Sequence, residues 1–373
     1  MKVIIAAAGT AGHINPGIAI ANKIKEMEPK SEIIFIGTDR GLENDLVPRA
    51  GYELKTIDAY GLNKKISIEN LKKIVKSQKG YIEAKKIIKE FNPDIVIGTG
   101  GYICGATIAA AHKLHIPTLL HESNAFPGKA VKFLARQTDC ILVSFEDAIP
   151  RINNANKIVY TGTPTKITKQ NYTYEQIIEM KKNMEIDTIK PTVLIFGGSQ
   201  GAQKINEAII GIAKKNLNDD YQIIWATGPK QYDIVKEEFY KEDLNINFIK
   251  NMKIIPYIYN MEEVMSISDV IVARSGAMTI TEISNLEKPS ILVPLPNVSN
   301  NHQLHNAKAL EKIGAAKIIL NNELTDEILN TEIKNITSNP QIMRDMGKNA
   351  SKIAVKDVEN RIYNEIKELV KVK

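Results

Sequence analysis

Thr192-Val193-Leu194-Ile195-Phe196-Gly197-Gly198-Ser199-Gln200-Gly201-Ala202 is the stretch that decides the fold. Five uncharged residues, mostly β-branched or aromatic, form a short run of the kind that makes a buried strand. A glycine-rich turn follows, and an apolar periodicity typical of a helix begins behind it. Pro191 marks the start of the unit. The same order opens the chain: residues 2–8 are almost wholly apolar, Gly9-Thr10-Ala11-Gly12-His13 makes the turn, and a helical pattern runs from about 16 to 27.

Short apolar runs continue from each opening. In the first half they lie at 32–36, 93–98, 118–121 and 140–144. In the second, strands are expected at 221–225, 247–250, 269–273 and 290–293. Helical segments separate most of them, which predicts parallel sheets covered on both faces. The expected fold is therefore α/β, with two doubly wound Rossmann-like domains facing a cleft. The domains are expected at 1–164 and 165–373. The join falls near 161–190, and a last helix at 359–369 is free to pack on either domain. Ligands of such sheets bind beyond the carboxyl ends of the strands, so the strand-end loops are where chemistry is sought.

The chain has 373 residues, 43% hydrophobic and 25% charged, an ordinary balance for globular domains. The start does not read as a secretory signal, and no run reaches the roughly 18 apolar residues of a membrane span. Cys104 and Cys140 make neither a disulfide framework nor a metal pattern, and are expected to be buried thiols. The net charge of +6 resides in the first half, and residues 62–89 hold nine Lys against two Glu. That asymmetry points to an anionic surface, a polyanion or a solvated helix face.

In the first loop, glycines admit a close ligand and the helix start offers N–H groups to negative charge. The three-glycine dinucleotide spacing is absent, although Asp39 follows the second strand and keeps an oxidoreductase in view. His13 is either a helix-capping residue or a general base. Gly100-Gly101-Tyr102 and His121-Glu122-Ser123-Asn124 end two further strands. The second of these offers polar side chains suited to sugar hydroxyls. Glu122 is a second candidate base. No third ligand supports a metal at the His/Glu pair. Phe133 and Leu134 interleave with Lys129, Lys132 and Arg136, the chemistry of a lipid-facing surface or of a core helix with solvated lysines.

In the second half, Gly197-Gly198-Ser199 lacks the Gly-Lys-Ser/Thr of a P-loop, so an ATPase is not expected. The sharpest cluster is Arg274-Ser275-Gly276-Ala277-Met278-Thr279-Ile280-Thr281-Glu282. First-turn N–H groups, with Arg274 and the Ser275 and Thr279 hydroxyls, would meet a phosphate. Glu282 stands where a carboxylate could grip a ribose diol. Asn300-Asn301-His302-Gln303 adds amides able to read sugar hydroxyls.

In this order, Gly-Thr-x-Gly-His at 9–13, Gly-Gly-Tyr at 100–102, His-Glu-x-Asn at 121–124, Gly-Gly-Ser-Gln-Gly-Ala at 197–202 and Arg-Ser-Gly-Ala-x-Thr at 274–279 resemble the MurG family of peptidoglycan glycosyltransferases over essentially the whole chain. The resemblance implies a glycosyltransferase-B fold and an inverting transfer needing no metal or other cofactor. The implied donor is UDP-N-acetylglucosamine. The implied acceptor is the muramic 4-hydroxyl of lipid I, the undecaprenyl-diphosphate-linked muramyl pentapeptide, and the product is lipid II. The setting would be the anionic cytoplasmic face of the cell membrane, with no nucleic acid involved.

By matching position, Glu282 would hold the ribose and the Ile258 backbone the uracil. Ser199 and Ala277 to Thr279 would meet the diphosphate, Gln303 and Asn124 the N-acetylglucosamine, and Thr10, Ala11 and Gly12 the lipid diphosphate or the donor sugar. His13 would be the base. The family's first loop commonly has glycine where Ala8 and Ala11 stand here, its His-Glu-Gln-Asn reads with Ser123, its Gln-Gln pair with His302, and its hinge arginine is Lys166. Lys166 keeps the charge without the bidentate fork. Rival readings are another enzyme of this fold, such as a UDP-sugar 2-epimerase or a glycolipid synthase, and a non-catalytic module binding polyanions or membranes.

Overall fold

The computed structural model describes residues 1–60, 68–198 and 200–371, with side chains outside 68–77. Ser199 and residues 62–67 of the Lys-rich stretch at 62–89 thus lie outside the described residues, as do the side chains of 68–77. The chain divides into one unit of Met1–Thr165 with Val355–Lys373 and another of Lys166–Ala354.

The first unit opens with β1 (Lys2–Ala7), α1 (Ala11–Met27), β2 (Glu32–Gly37), α2 (Glu43–Arg49) and β3 (Glu53–Thr56). It continues with α3 (Ile68–Phe91), β4 (Ile95–Gly100), α4 (Ile103–Lys113), β5 (Thr118–Glu122), α5 (Lys129–Leu134), β6 (Cys140–Val143) and β7 (Ile158–Tyr160). The strands form a seven-stranded sheet in the order β3-β2-β1-β4-β5-β6-β7. Every pairing is parallel. Both faces are covered, which explains the unbroken apolar runs. Ile4, Ala6, Ile34 and Val96 enter one core, while Val3, Ile5, Phe35 and Ile97 enter the other.

The second unit runs α6 (Tyr174–Asn183), β8 (Thr192–Phe196), α7 (Gln203–Lys214), β9 (Gln222–Ala226), α8 (Pro229–Tyr240), β10 (Met252–Ile255) and α9 (Met261–Ile267). Then come β11 (Val270–Ala273), α10 (Ala277–Asn285), β12 (Ser290–Leu292), α11 (His302–Lys312), β13 (Ala316–Ile318), α12 (Asp326–Thr337) and α13 (Pro340–Ala350). Its six parallel strands are ordered β10-β9-β8-β11-β12-β13. Trp225 is wholly buried there. Its indole N–H is satisfied by Asn206 Oδ1 at 3.0 Å, while Asn206 donates to the Thr227 carbonyl at 3.0 Å.

The last helix, α14 (Val358–Lys371), packs against α1. Tyr363 and Lys367 both donate to Glu28 at the far end of α1, at 2.8 and 2.5 Å. Those bonds, led by the one from Lys367, hold the Glu28 carboxyl down at about 2.

Three differences from the sequence reading have physical causes. Helix α1 begins at Ala11 rather than near Pro16, so His13 lies in its first turn. Pro16 lies just inside the helix, past its first turn, and forfeits only the one intrahelical bond that its own N–H would have made. Residues 247–250 are not a strand. Asn245 accepts the Asn247 N–H and closes a short turn, Asn251 is left-handed, and the strand follows at Met252–Ile255. The edge strands β3 and β13 each include charged residues, and β7 is a run of only three half-buried residues, because one side of each is open.

Candidate functional site

In each sheet the strand order reverses direction beside its first strand, between β1 and β4 and between β8 and β11. Loops leaving such a switch point diverge and open a crevice at the carboxyl ends. The glycine turns found in the sequence are these loops.

In the second unit they line a cavity of about 580 Å³. Gly197, Gly198 and Gly201 form one wall, Arg274, Gly276 and Thr279 another, and Leu295 and Gln303 a third. Helix α10 begins at Gly276 with no side chain capping it. Its first-turn N–H groups and the positive end of its dipole therefore remain available to an anion. The Arg274 guanidinium is half-buried against the Val293 and Pro294 carbonyls, which accept from Nη1 at 3.0 and 3.3 Å. Its buried Nε has no partner among the described residues. Burial lowers its affinity for the proton, and no carboxylate offsets this. This wall presents positive charge without its own counter-ion.

Glu282 lies on α10, two turns in. No donor reaches its carboxylate among the described residues, and burial pushes its pKa up to about 7. A half-buried acceptor without donors suits a diol. Gln303 accepts the Leu295 N–H through Oε1 at 2.9 Å, which turns its amide nitrogen into the donor end. Asn300 and Asn301 precede it in left-handed conformations that asparagine tolerates.

Several expected ligands are placed differently. Ser275 is fully buried and its hydroxyl donates to the Gln303 carbonyl at 2.8 Å. It ties the turn after β11 to the start of α11 instead of facing the cavity. Thr281 donates back to the Ala277 carbonyl at 3.0 Å. Ile280 belongs to the core, which leaves only its backbone for a ligand. Ala277 and Met278 stand half-buried in the first turn of α10. Ile258 is buried behind β10, between Tyr257 and Tyr259, whose rings meet edge to face at 5.0 Å. Lys166 is exposed at the start of the second unit.

In the first unit, Thr10 is exposed and makes no capping bond, while Ala11, Gly12 and His13 are half-buried in the first turn of α1. The His13 ring meets the Ala8 carbonyl through Nδ1 at 3.1 Å. Its own carbonyl accepts from Thr99 at 2.8 Å. Glu122 is buried, and its oxygens accept from the Asn124 N–H at 2.8 Å, the Asn124 amide at 3.0 Å and the Gly128 N–H at 2.6 Å. A carboxylate so occupied organises the 123–128 loop and is poorly placed to collect a proton.

His121 is buried, bonded to the Gly162 carbonyl at 2.9 Å, and held neutral: burial takes its pKa down to about 4. Both thiols are buried and free, as Cys104 and Cys140 were expected to be.

Sequence reasoning missed Glu43. It looked for an acid behind β2 and found Asp39, which is exposed beside Arg40. Glu43, four residues on, is wholly buried and accepts from the Gly9 N–H at 3.0 Å. Its only signal was being an acid two residues after a glycine. On the outer surface, Phe133 is 75% exposed beside the exposed Lys129, Lys132 and Arg136. Leu134, read with Phe133 as part of one apolar surface, is buried in the core.

Residues 3–143 match the N-terminal domain of glycosyltransferase family 28, and residues 192–362 match its C-terminal domain. A protein of Acetivibrio thermocellus is 43% identical over all of this chain and 99% of its own length. One from a Thermoanaerobacter species is 43% identical over 99% of this chain and its full length. Both are named UDP-N-acetylglucosamine–N-acetylmuramyl-(pentapeptide) pyrophosphoryl-undecaprenol N-acetylglucosamine transferase. The crystal structure of Acinetobacter baumannii MurG superposes with a TM-score of 0.77 at 28% identity, covering 98% of this chain and 99% of that one. With two parallel doubly wound sheets, each carrying its glycine turns at the switch point, the chain belongs to glycosyltransferase family 28, as a member of its MurG group with the glycosyltransferase-B fold.

Proposed function

We propose that the protein transfers N-acetylglucosamine from UDP-N-acetylglucosamine to the muramic 4-hydroxyl of lipid I, giving lipid II with inversion at the anomeric carbon. The observation that carries this reading is full-length identity of 43% to relatives whose names state that transfer, together with an uncapped α10 beside Arg274.

In this reading the donor binds the second unit. Its diphosphate meets the first turn of α10 (Ala277, Met278 and Thr279), the Ser199 loop and Arg274. Its ribose meets Glu282, its uracil the backbone at Ile258, and its sugar Gln303. Asn124 joins Gln303 on the N-acetylglucosamine, Thr10, Ala11 and Gly12 meet the lipid diphosphate or the donor sugar, and Lys166 adds charge. His13 takes the proton of the acceptor hydroxyl, whose electron pair forms the new bond to the anomeric carbon as the bond to the diphosphate breaks. Negative charge growing on UDP is met by the helix dipole and the guanidinium, groups already fixed before reaction.

The lipid acceptor calls for a membrane surface. No described helix is long and apolar enough to cross one. Exposed Phe133, set among Lys129, Lys132 and Arg136, supports peripheral attachment to the anionic cytoplasmic face of the cell membrane.

The test is UDP release with and without a water-soluble lipid I analogue. Release that requires the analogue and yields a disaccharide product is expected. Conversion of UDP-N-acetylglucosamine without an acceptor would replace the proposal with an epimerase. His13→Ala should cut turnover about a hundredfold or more while UDP binding survives; unchanged turnover removes His13 from the mechanism.

A further inference from the structure

The Gly9 N–H and the Ala8 carbonyl belong to one peptide group. The N–H donates to Glu43 Oε2 at 3.0 Å, and the carbonyl meets His13 Nδ1 at 3.1 Å. A trans peptide carries these two groups on opposite edges. The peptide therefore lies between a carboxylate and an imidazole. A carbonyl only accepts, so Nδ1 bears the hydrogen, and in the neutral ring Nε2 holds the basic lone pair.

The arrangement is cleared for this purpose at both ends. Glu43 is wholly buried and also accepts from the Thr38 N–H at 3.0 Å and the Thr38 hydroxyl at 2.7 Å. A Cβ at Gly37 would stand 2.7 Å from Glu43 Cγ. At the other end, a Cβ on Gly101 would stand 2.7 Å from the Ala8 oxygen and 3.5 Å from His13 Nδ1, and one on Gly100 would overlap the ring. Both residues have positive φ. The Gly100-Gly101 pair is the seat of the His13 ring.

We propose that Glu43 is the positioning residue of His13, acting through the Ala8–Gly9 peptide. The carboxylate polarises the peptide and strengthens its carbonyl as an acceptor. The carbonyl fixes the ring through Nδ1 and stabilises the imidazolium formed when Nε2 takes the acceptor proton. Burial alone would favour protonated Glu43, but the donors on Gly9 and Thr38 outweigh it and hold the pKa low, so the group stays charged.

Other ionisable groups near α1 are engaged elsewhere. On α2, Asp45 pairs with Arg49 at 2.8 Å. On α14, Tyr363 and Lys367 bind Glu28 at the distant end of α1. Beyond β4, burial pushes the Cys104 thiol up to about 12 and keeps it neutral. At the neighbouring strand ends, Asp39 and Arg40 follow β2 and pair with each other, Tyr102 follows β4, and Glu122 ends β5.

The inference rests on His13 being the base, and its test separates the two ideas. The ring of His13 is titrated by NMR in the full-length protein, and the pH–rate profile is measured by UDP release with the soluble acceptor analogue. In Glu43→Gln, which keeps the size but loses the charge, the His13 pKa should fall by about one unit. The acid limb of kcat/KM should move with it, kcat should fall about tenfold, and KM for the UDP-sugar should hold. Gly101→Ala attacks the same link from the other end and should act in the same direction, which covers the case of a Glu43 variant that does not fold. An unmoved ring titration in these variants overturns the coupling. A ring titration that moves while the rate profile does not overturns His13 as the base, and with it the catalytic role given to Glu43, but leaves the physical link standing.

Discussion

Ser275 donates its hydroxyl to the backbone carbonyl of Gln303 at 2.8 Å, and Asn306 donates to the carbonyl of Ser275 at 3.1 Å. These bonds lock the turn after β11 to the first turns of α11, so the two walls of the cavity form one piece. Ser275→Ala leaves the Gln303 carbonyl without this partner at a cost of about 1 kcal/mol. We expect KM for the UDP-sugar to rise about fivefold with kcat nearly unchanged. Steady-state kinetics decide the matter, since a large fall in kcat alone would mean that the hydroxyl meets the diphosphate in the transition state.

In the proposed donor site, Glu282 would make binding depend on pH. Its pKa near 7 reflects burial without a donor, and only the ionised form offers both oxygens to a diol. UDP affinity should therefore weaken as pH falls through 7, approaching tenfold per unit below it. Glu282→Gln should abolish that dependence and bind UDP poorly at every pH, as read by calorimetry. The folded protein pays for this carboxylate above pH 7, so the same variant should gain about 2 kcal/mol of stability at pH 8 and little at pH 5, after allowance for partial exposure. An equal gain at both values would assign the effect to packing.

His121 predicts an acid limb in stability. Folded, it stays neutral down to about 4, whereas the unfolded chain binds a proton near 6.5. Stability is full above 6.5 and falls as pH drops toward 4, by at most about 3 kcal/mol from this group. His121→Gln can still donate to the Gly162 carbonyl and should flatten the decline in Tm between pH 6.5 and 4.5. An unchanged slope would move the titration to other groups.

Phe133 tests attachment to lipid apart from chemistry. Phe133→Asp places a charge where an exposed ring stands among cations. Binding to vesicles rich in anionic lipid should fall about tenfold or more, while turnover with a soluble acceptor analogue holds. Retained vesicle binding would shift attachment elsewhere on the first unit.

The sequence by itself determined the class of fold and the addresses of the loops. Strands buried on both faces must be apolar at consecutive positions, and a chain that leaves such a strand for a helix must turn at once. Both demands are local, so β8, β11 and the start of α10 are legible residue by residue. Runs such as β3 and β13, half open to water, escape that logic, and residues 247–250, where only Phe248 and Ile249 are apolar, form no strand. Only tertiary structure decided which polar groups face a ligand. Glu43 and Gly9 are 34 residues apart and meet because β2 pairs beside β1. Ser275 and Gln303 are 28 apart and meet because β12 follows β11 in the sheet. Hydrogen bonds act over about 3 Å, and what brings groups within that reach is strand order, which no stretch of sequence around either partner encodes.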